Sequence, residues 1–228
     1  MTRTTLGAVL FDMDGTLVDT EPYWIAAEHA LVAEYGGRWT DDHANNLVGN
    51  ALLVSAEYIR EHGQVPLPAE VIVERLLDSV IADIRRAIPW RPGARELLAE
   101  CAAAGVPTAL VTMSYLRFAR AVIDQLPPGA FTTVVTGDQV SRGKPDPEAY
   151  RTACATLGVE PASAVALEDS PIGVASAEAA GCVTIAIPHQ VPIAAAPGRI
   201  LRDSLADVDV AQLAELVRER RRGGHADR

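Results

Sequence analysis

The sequence is organised around one short apolar run that ends in two aspartates. Residues 8–11 read Ala-Val-Leu-Phe, and Asp12, Asp14 and Gly15 follow. Four consecutive apolar residues suit a strand that is buried on both faces of a parallel sheet. Gly15 permits a tight turn at the end of that strand. Two carboxylates this close together repel each other unless a cation, hydrogen bonds or protonation compensates. The run therefore predicts either a plain Asp-Gly turn or a functional site.

The second part of the chain alternates helical patterns with short apolar runs. We predict further strands over 108–111, 132–135, 164–167 and 183–187, with helices between them and a last helix over 210–222. Such alternation predicts an α/β fold with a doubly wound parallel sheet and right-handed crossovers. Ligands of such sheets bind outside the carboxyl ends of the strands. Polar residues that follow these strands are therefore candidates for a site.

Two of the predicted strands end in residues that could complete a site with the aspartates. Thr112 follows the strand over 108–111, and Glu168 and Asp169 follow the strand over 164–167. A polar residue must follow most strands as the chain leaves the core. A hydroxyl and four carboxylates at three such positions are less easily explained by chance.

The segment between the first and second strands differs from the rest. It shows helical spacing of apolar residues over about 21–35, 51–62 and 68–88, with Thr20 as a candidate N-cap, and no strand pattern. The chain thus predicts an α/β core of residues 1–17 and 90–228, with an all-helical cap of residues 18–89 inserted after the first strand.

Composition excludes several classes of partner. The formal net charge is −10 and the calculated pI is about 4.9, which disfavours binding to nucleic acid or to anionic membranes. The sequence shows neither a leader pattern nor a membrane span, and its three cysteines have no metal-binding spacing. We expect a cytoplasmic protein that is a monomer or a weak homodimer. The basic run over 218–228 is expected to be a solvated helix end.

Four segments together resemble a known family. Residues 11–19 read Phe-Asp-Met-Asp-Gly-Thr-Leu-Val-Asp, residues 111–114 read Val-Thr-Met-Ser, residues 142–147 read Arg-Gly-Lys-Pro-Asp-Pro, and residues 167–170 read Leu-Glu-Asp-Ser. In this order they resemble the four motifs of the haloacid dehalogenase superfamily, whose largest group is Mg²⁺-dependent phosphatases. The helical insert resembles the cap of the phosphoglycolate phosphatase and β-phosphoglucomutase branch.

The resemblance implies a role for each motif residue. Asp12 would be the nucleophile that forms an aspartyl-phosphate, which divides a difficult hydrolysis into two displacements. Asp14 would protonate the leaving group and then take a proton from water. Thr112 would bind a phosphoryl oxygen, with Ser114 as the alternative hydroxyl, and Lys144 would place an ammonium against the phosphate and Asp12.

The resemblance also implies a Mg²⁺ site. Its ligands would be the carboxylates of Asp12 and Asp169 and the main-chain carbonyl of Asp14. Glu168 would bind either directly or through a water molecule, and both alternatives stay open. Oxygen ligands of this kind are those that Mg²⁺ prefers.

The expected substrate is a small phosphorylated metabolite. Residues 19–24, Asp-Thr-Glu-Pro-Tyr-Trp, resemble the Asp-Ser-Glu-Pro-Leu-Trp of sugar-phosphate phosphatases, which points to a sugar phosphate. Trp24 and Asn50, in the loop over 48–52, are predicted substrate contacts in the cap. The alternative is a β-phosphoglucomutase-like phosphomutase. Its cap carries a His where Trp24 stands and an Arg in the loop, and this sequence has neither.

Overall fold

The computed structural model of the protein describes residues 6–47 and 51–223. The chain divides into two compact units. One is formed by Met1–Asp19 and Trp90–Arg228, and the other by Thr20–Pro89. We call the first the core unit and the second the cap unit.

The cap unit contains only helices among its described residues. They are α1 (Glu21–Glu34), α2 (Asp41–Asn45), α3 (Leu52–His62) and α4 (Ala69–Arg86). Helix α4 packs against both α1 and α3, because its buried residues, from Ile72 to Ile84, recur at helical spacing along one face. The short α2 was not predicted from the sequence. Thr20 is the N-cap residue of α1 but makes no side-chain capping bond, which corrects the expected capping role.

The core unit is built on a six-stranded sheet. Its strands are β1 (Ala8–Phe11), β2 (Thr108–Val111), β3 (Thr133–Val135), β4 (Ala164–Glu168), β5 (Val183–Ala186) and β6 (Arg199–Leu201). They lie in the order β3-β2-β1-β4-β5-β6, and every neighbouring pair is parallel. The predicted fold class, a doubly wound parallel α/β sheet, is confirmed. The edge strand β6 was not predicted.

Helices flank this sheet. They are α5 (Ala94–Ala103), α6 (Leu116–Ile123), α7 (Glu148–Leu157), α8 (Pro171–Ala180) and α9 (Val210–Gly223). One core cluster joins α7 and α8 to one face of the sheet, and small residues such as Ala8, Ala109 and Ala166 supply much of it. The ring of Tyr150, which is among the largest fully buried side chains, lies among these alanines. Small side chains on the strands thus make room for one large ring on the helix.

Two arginines of the basic run at the end of α9 donate hydrogen bonds to residues that precede strands of the sheet. Arg220 donates to the carbonyl oxygen of Cys182, and Arg221 donates to Oγ of Ser163. Both acceptors lie at the amino ends of strands β5 and β4. Both arginines are nevertheless exposed, as expected for a solvated helix end, and residues 224–228 lie outside the described residues. Within 6–47 and 51–223, the helices are too short or too polar to cross a membrane.

Candidate active site

The sheet register brings the predicted site residues to one edge. Phe11 is aligned with Leu110 of β2 and with Leu167 of β4, so these three strands end at the same level. Asp12 follows directly, and its amide donates to the carbonyl oxygen of Leu167 at 3.1 Å. Glu168 is the last residue of β4. The motifs after the three adjacent strands therefore meet at the carboxyl ends of β2, β1 and β4.

Lys144 connects two of these strand ends. Its side chain is only 5% exposed, and Nζ lies 2.7 Å from Oδ1 of Asp12 and 2.6 Å from Oε1 of Glu168. Nζ also donates to the carbonyl oxygen of Val111 at 2.9 Å. An ammonium group carries three N–H donors, so this arrangement uses all three. Two carboxylates thereby share one buried cation.

The loop that carries Lys144 is held by Met113. The amide of Lys144 donates to Sδ of Met113 at 3.2 Å. A Cβ at Gly143 would lie 2.9 Å from the same sulfur atom, which is closer than side-chain atoms normally approach. A glycine at this position lets the loop pass close to Met113, and this approach places Lys144 at the strand ends.

Glu168 is enclosed by hydrogen-bond donors. Oε1 accepts from the hydroxyl of Tyr150 at 2.7 Å as well as from Lys144, and Oε2 accepts from Oγ of Ser170 at 3.3 Å. Ser170 also caps α8, because its Oγ accepts from the amide of Gly173. The helix approaches Glu168 so closely that a Cβ at Gly173 would lie 1.9 Å from Oε2. The carboxylate is therefore fixed from both sides.

Asp14 lies in the turn that follows β1. The turn is closed by a bond from the amide of Gly15 to the carbonyl oxygen of Val18 at 2.7 Å. Oδ2 of Asp14 accepts from Oγ of Ser114 at 2.6 Å, and the amide of Ser114 donates to Oγ1 of Thr112 at 3.0 Å. The two hydroxyls proposed as alternatives thus have different surroundings, since Ser114 contacts the carboxylate of Asp14.

Three carboxylates form a cluster suited to a cation. One oxygen each of Asp12, Glu168 and Asp169 lies within 4.8 Å of the others. Oδ2 of Asp12 is buried and accepts no hydrogen bond from the described part of the chain. Gly15 makes the approach of Asp169 feasible, because a Cβ there would lie 2.0 Å from Oδ2 of Asp169. Hard oxygen donors and an unpartnered carboxylate oxygen fit a Mg²⁺ ion.

The electrostatics of the cluster also favour a cation. Burial raises the pKa of Asp169 to about 8, and the nearby charges of Asp12 and Glu168 add to this shift. Burial likewise raises the pKa of Glu168, although Lys144 opposes the shift. For Lys144, burial lowers the pKa, but the carboxylates of Asp12 and Glu168 outweigh burial and the pKa rises. Negative charge therefore exceeds what the single ammonium balances.

The structure brings seven of the nine predicted site residues together. They are Asp12, Asp14, Thr112, Ser114, Lys144, Glu168 and Asp169. Trp24 is half-buried in α1 of the cap unit, and Asn50 lies outside the described residues.

Sequence reasoning missed Tyr150 and gave Ser170 no role beyond its place in the motif over 167–170. Burial and the charge of Glu168 raise the pKa of Tyr150 well above its usual value, so the hydroxyl remains a donor. The sequence did contain a signal for Tyr150, because it lies on the apolar face of α7 with Ala149, Ala153 and Cys154. A tyrosine hydroxyl that is buried on such a face needs a hydrogen-bond partner.

Comparison with known proteins agrees with this geometry. A family model for haloacid dehalogenase-like hydrolases matches residues 6–181. The chain belongs to this family. Hexitol phosphatase B of Escherichia coli K12 is 33% identical over 217 residues, which cover 92% of this chain and 94% of that protein. Validoxylamine A 7'-phosphate phosphatase of Streptomyces hygroscopicus subsp. limoneus is 34% identical over 203 residues, covering 85% and 92%.

The fold of this haloacid dehalogenase-like hydrolase also matches a solved structure. The crystal structure of CbbY from Rhodobacter sphaeroides in complex with phosphate matches with a TM-score of 0.80 and 31% identity, covering 91% of this chain and 99% of that one. The predicted family is confirmed. The predicted enzyme class, a phosphoric monoester hydrolase, is confirmed as well, because the related proteins are named phosphatases.

Proposed function

We propose that the protein is a Mg²⁺-dependent phosphatase that hydrolyses a sugar phosphate through an aspartyl-phosphate on Asp12. The observation that carries the proposal is the state of the Asp12 carboxylate. Oδ1 is held by Lys144 at 2.7 Å, and Oδ2 is buried without a hydrogen-bond donor among the described residues. A carboxylate that is fixed through one oxygen while the other is unpartnered suits a nucleophile or a metal ligand.

In the first displacement, an oxygen of Asp12 attacks the phosphorus atom of the substrate. A bond forms between Asp12 and phosphorus while the bond from phosphorus to the leaving oxygen breaks. Asp14 donates a proton to that leaving oxygen. Ser114 orients Asp14 for this transfer through its 2.6 Å hydrogen bond. The alcohol leaves and the phosphoryl group stays on Asp12.

In the second displacement, Asp14 accepts a proton from a water molecule as its oxygen attacks phosphorus. The bond between phosphorus and Asp12 breaks, and inorganic phosphate and a free Asp12 carboxylate result. During both steps, Lys144 and the hydroxyl of Thr112 donate hydrogen bonds to phosphoryl oxygens, which stabilises charge at the reacting centre.

The acidic cluster would hold the metal ion. Asp12 and Asp169 would bind it through their carboxylates and Asp14 through its main-chain carbonyl, and Glu168 completes the acidic set. When bound, Mg²⁺ supplies positive charge that neutralises the carboxylates and the phosphoryl oxygens. Gly15 contributes by leaving space for Asp169.

The substrate class rests on the related proteins and on the sequence. Two relatives are named hexitol phosphatase B and validoxylamine A 7'-phosphate phosphatase. In addition, residues 19–24 resemble a segment of sugar-phosphate phosphatases. We propose that Trp24 and Asn50 of the cap unit contact the leaving group. The monomeric or weakly dimeric state and the cytoplasmic location stay predictions.

A screen of phosphorylated metabolites tests the function. Wild-type protein with Mg²⁺ is incubated with hexitol phosphates, aldose phosphates and phosphoglycolate, and released phosphate is measured. Asp12→Asn is the inactive control, and Asp124→Asn, an exposed carboxylate in the core unit, is the matched substitution that should retain activity. We expect release from at least one sugar phosphate by wild type and by Asp124→Asn only.

Two results would contradict the proposal in different ways. Release by Asp12→Asn at the wild-type rate would exclude Asp12 as the nucleophile. Conversion of β-glucose 1-phosphate to glucose 6-phosphate, with little free phosphate, would favour the phosphomutase alternative instead.

A further inference from the structure

The hydroxyl of Tyr150 serves no packing purpose in the core. The ring is fully buried among small side chains of the core cluster around α7. A phenylalanine would fill the same space without the cost of burying a polar group. The hydroxyl donates to Oε1 of Glu168 at 2.7 Å. Its role is therefore to be sought at the strand ends rather than in the stability of the core.

The donors of Lys144 are fully used before any phosphate binds. They go to Asp12, Glu168 and the carbonyl oxygen of Val111, at distances of 2.6–2.9 Å. To donate to a phosphoryl oxygen, Lys144 must give up or share one of these bonds. The partner that loses the bond stays buried without this donor, and an unpaired buried carboxylate is costly.

Of the two carboxylates that Lys144 contacts, Glu168 can lose the ammonium at the smaller cost. Its Oε1 accepts from both Lys144 and Tyr150, and its Oε2 accepts from Ser170. If Lys144 turns towards a phosphate, Oε1 keeps the hydroxyl of Tyr150 as a donor. Oδ1 of Asp12 accepts from Lys144, and Asp12 must stay oriented for attack.

We propose that Tyr150 is a positioning residue for phosphate binding, because its hydroxyl keeps Glu168 hydrogen-bonded when Lys144 turns from Glu168 to a phosphoryl oxygen. This inference rests on the proposed function, since it takes Lys144 as the phosphate-binding cation. Tyr150 acts through its hydrogen bond to Glu168 and, through Glu168, on Lys144.

Binding of inorganic phosphate to Tyr150→Phe tests the inference. The variant keeps the ring and removes only the hydroxyl. Without the bond from the Tyr150 hydroxyl, Glu168 depends more on Lys144, and Lys144 is less available to a phosphate. Because the lost bond is one to a charged group, phosphate binding should weaken about tenfold. The dissociation constant of phosphate is measured calorimetrically with saturating Mn²⁺, and Mn²⁺ binding alone is followed by its EPR signal. Tyr35→Phe, which removes a hydroxyl that contacts Arg75 in the cap unit, is the matched control.

The expected pattern separates positioning from a general loosening of the site. Tyr150→Phe should weaken phosphate binding while Mn²⁺ binding stays within about twofold of wild type, well below the tenfold loss of one such hydrogen bond. Tyr35→Phe should change neither. Unchanged phosphate binding in Tyr150→Phe, or an equal loss of phosphate and Mn²⁺ binding, would overturn the inference. If wild-type protein binds no phosphate in the presence of Mn²⁺, the proposed function fails, and this inference fails with it.

Discussion

Gly15→Ala tests whether the turn after β1 exists to admit Asp169. Gly15 has a φ of +87°, and a Cβ there would lie 2.0 Å from Oδ2 of Asp169. Two separate penalties follow. An alanine at positive φ costs about 1–2 kcal/mol of stability, and the new methyl group occupies the place of a carboxylate oxygen.

The second penalty should appear in activity. Ordinary van der Waals contact begins at 3.4 Å, so Oδ2 of Asp169 must move by about 1.4 Å or more. A displacement of about 1 Å in a reacting site can reduce the rate by about 100-fold. We therefore expect Gly15→Ala to lower kcat/KM by about 100-fold or more, and to require a higher Mg²⁺ concentration for half-maximal activity.

Gly105→Ala is the matched control for this prediction. Gly105 also lies in the core unit at positive φ, +65°, but a Cβ there would have no atom within 4 Å. Gly105→Ala should lose about 1–2 kcal/mol in urea unfolding, and Gly15→Ala should lose at least as much. Only Gly15→Ala should lose activity in a p-nitrophenyl phosphate assay at several Mg²⁺ concentrations. If the two variants retained similar activity, the argument that Gly15 makes room for Asp169 would be wrong.

Three further predictions concern the metal, the cap and the pH dependence of stability. Treatment with EDTA should abolish phosphate release, and Mg²⁺ should restore it. Ca²⁺ should inhibit the reaction, because it takes six to eight ligands at longer distances and can engage both oxygens of Asp12. Activity that persists after metal removal would contradict the proposed metal site. Trp24→Ala should change the ranking of sugar phosphates by kcat/KM while p-nitrophenyl phosphate hydrolysis is largely retained, and a uniform loss would instead indicate a structural role. Burial raises the pKa of Glu28 from 4.5 to about 7, with the Trp39 indole opposing the shift. The folded chain therefore binds more protons than the unfolded chain between these values, and stability falls as the pH rises through this window. Glu28→Gln should remove that fall, so its melting temperature relative to wild type should be higher at pH 8 than at pH 5; an equal difference at both pH values would refute the assignment.

The sheet was predictable because its central strands are marked by consecutive apolar residues. Strands β1 and β4 are buried along their whole length, and this burial requires such runs. The edge strand β6 has only three residues and is half-buried or exposed, so no run marks it. Helix α2 has five residues, too few to show helical periodicity. Strand β6 is fixed by its pairing with β5, whereas α2 begins at a local capping box between Thr40 and His43.

The site was predictable as a set of residues but not as a network. Parallel strands align their carboxyl ends, so motifs after β1, β2 and β4 had to meet once these strands were adjacent. The sequence did not show that Lys144 would bridge Asp12 and Glu168, or that Tyr150 would reach Glu168. Those contacts depend on how α7 packs on the sheet. The sequence also did not distinguish the surroundings of Thr112 from those of Ser114, because both residues follow the same strand.

Trapping of the phosphorylated enzyme tests the central claim most directly. Wild-type protein turning over a sugar phosphate or p-nitrophenyl phosphate with Mg²⁺ is quenched with borohydride, which reduces an acyl phosphate to an alcohol, and the peptide that contains residue 12 is analysed by mass spectrometry. The account predicts homoserine at position 12, in amounts that depend on substrate. Turnover that leaves Asp12 unmodified, with the reduced residue elsewhere or absent, would contradict it.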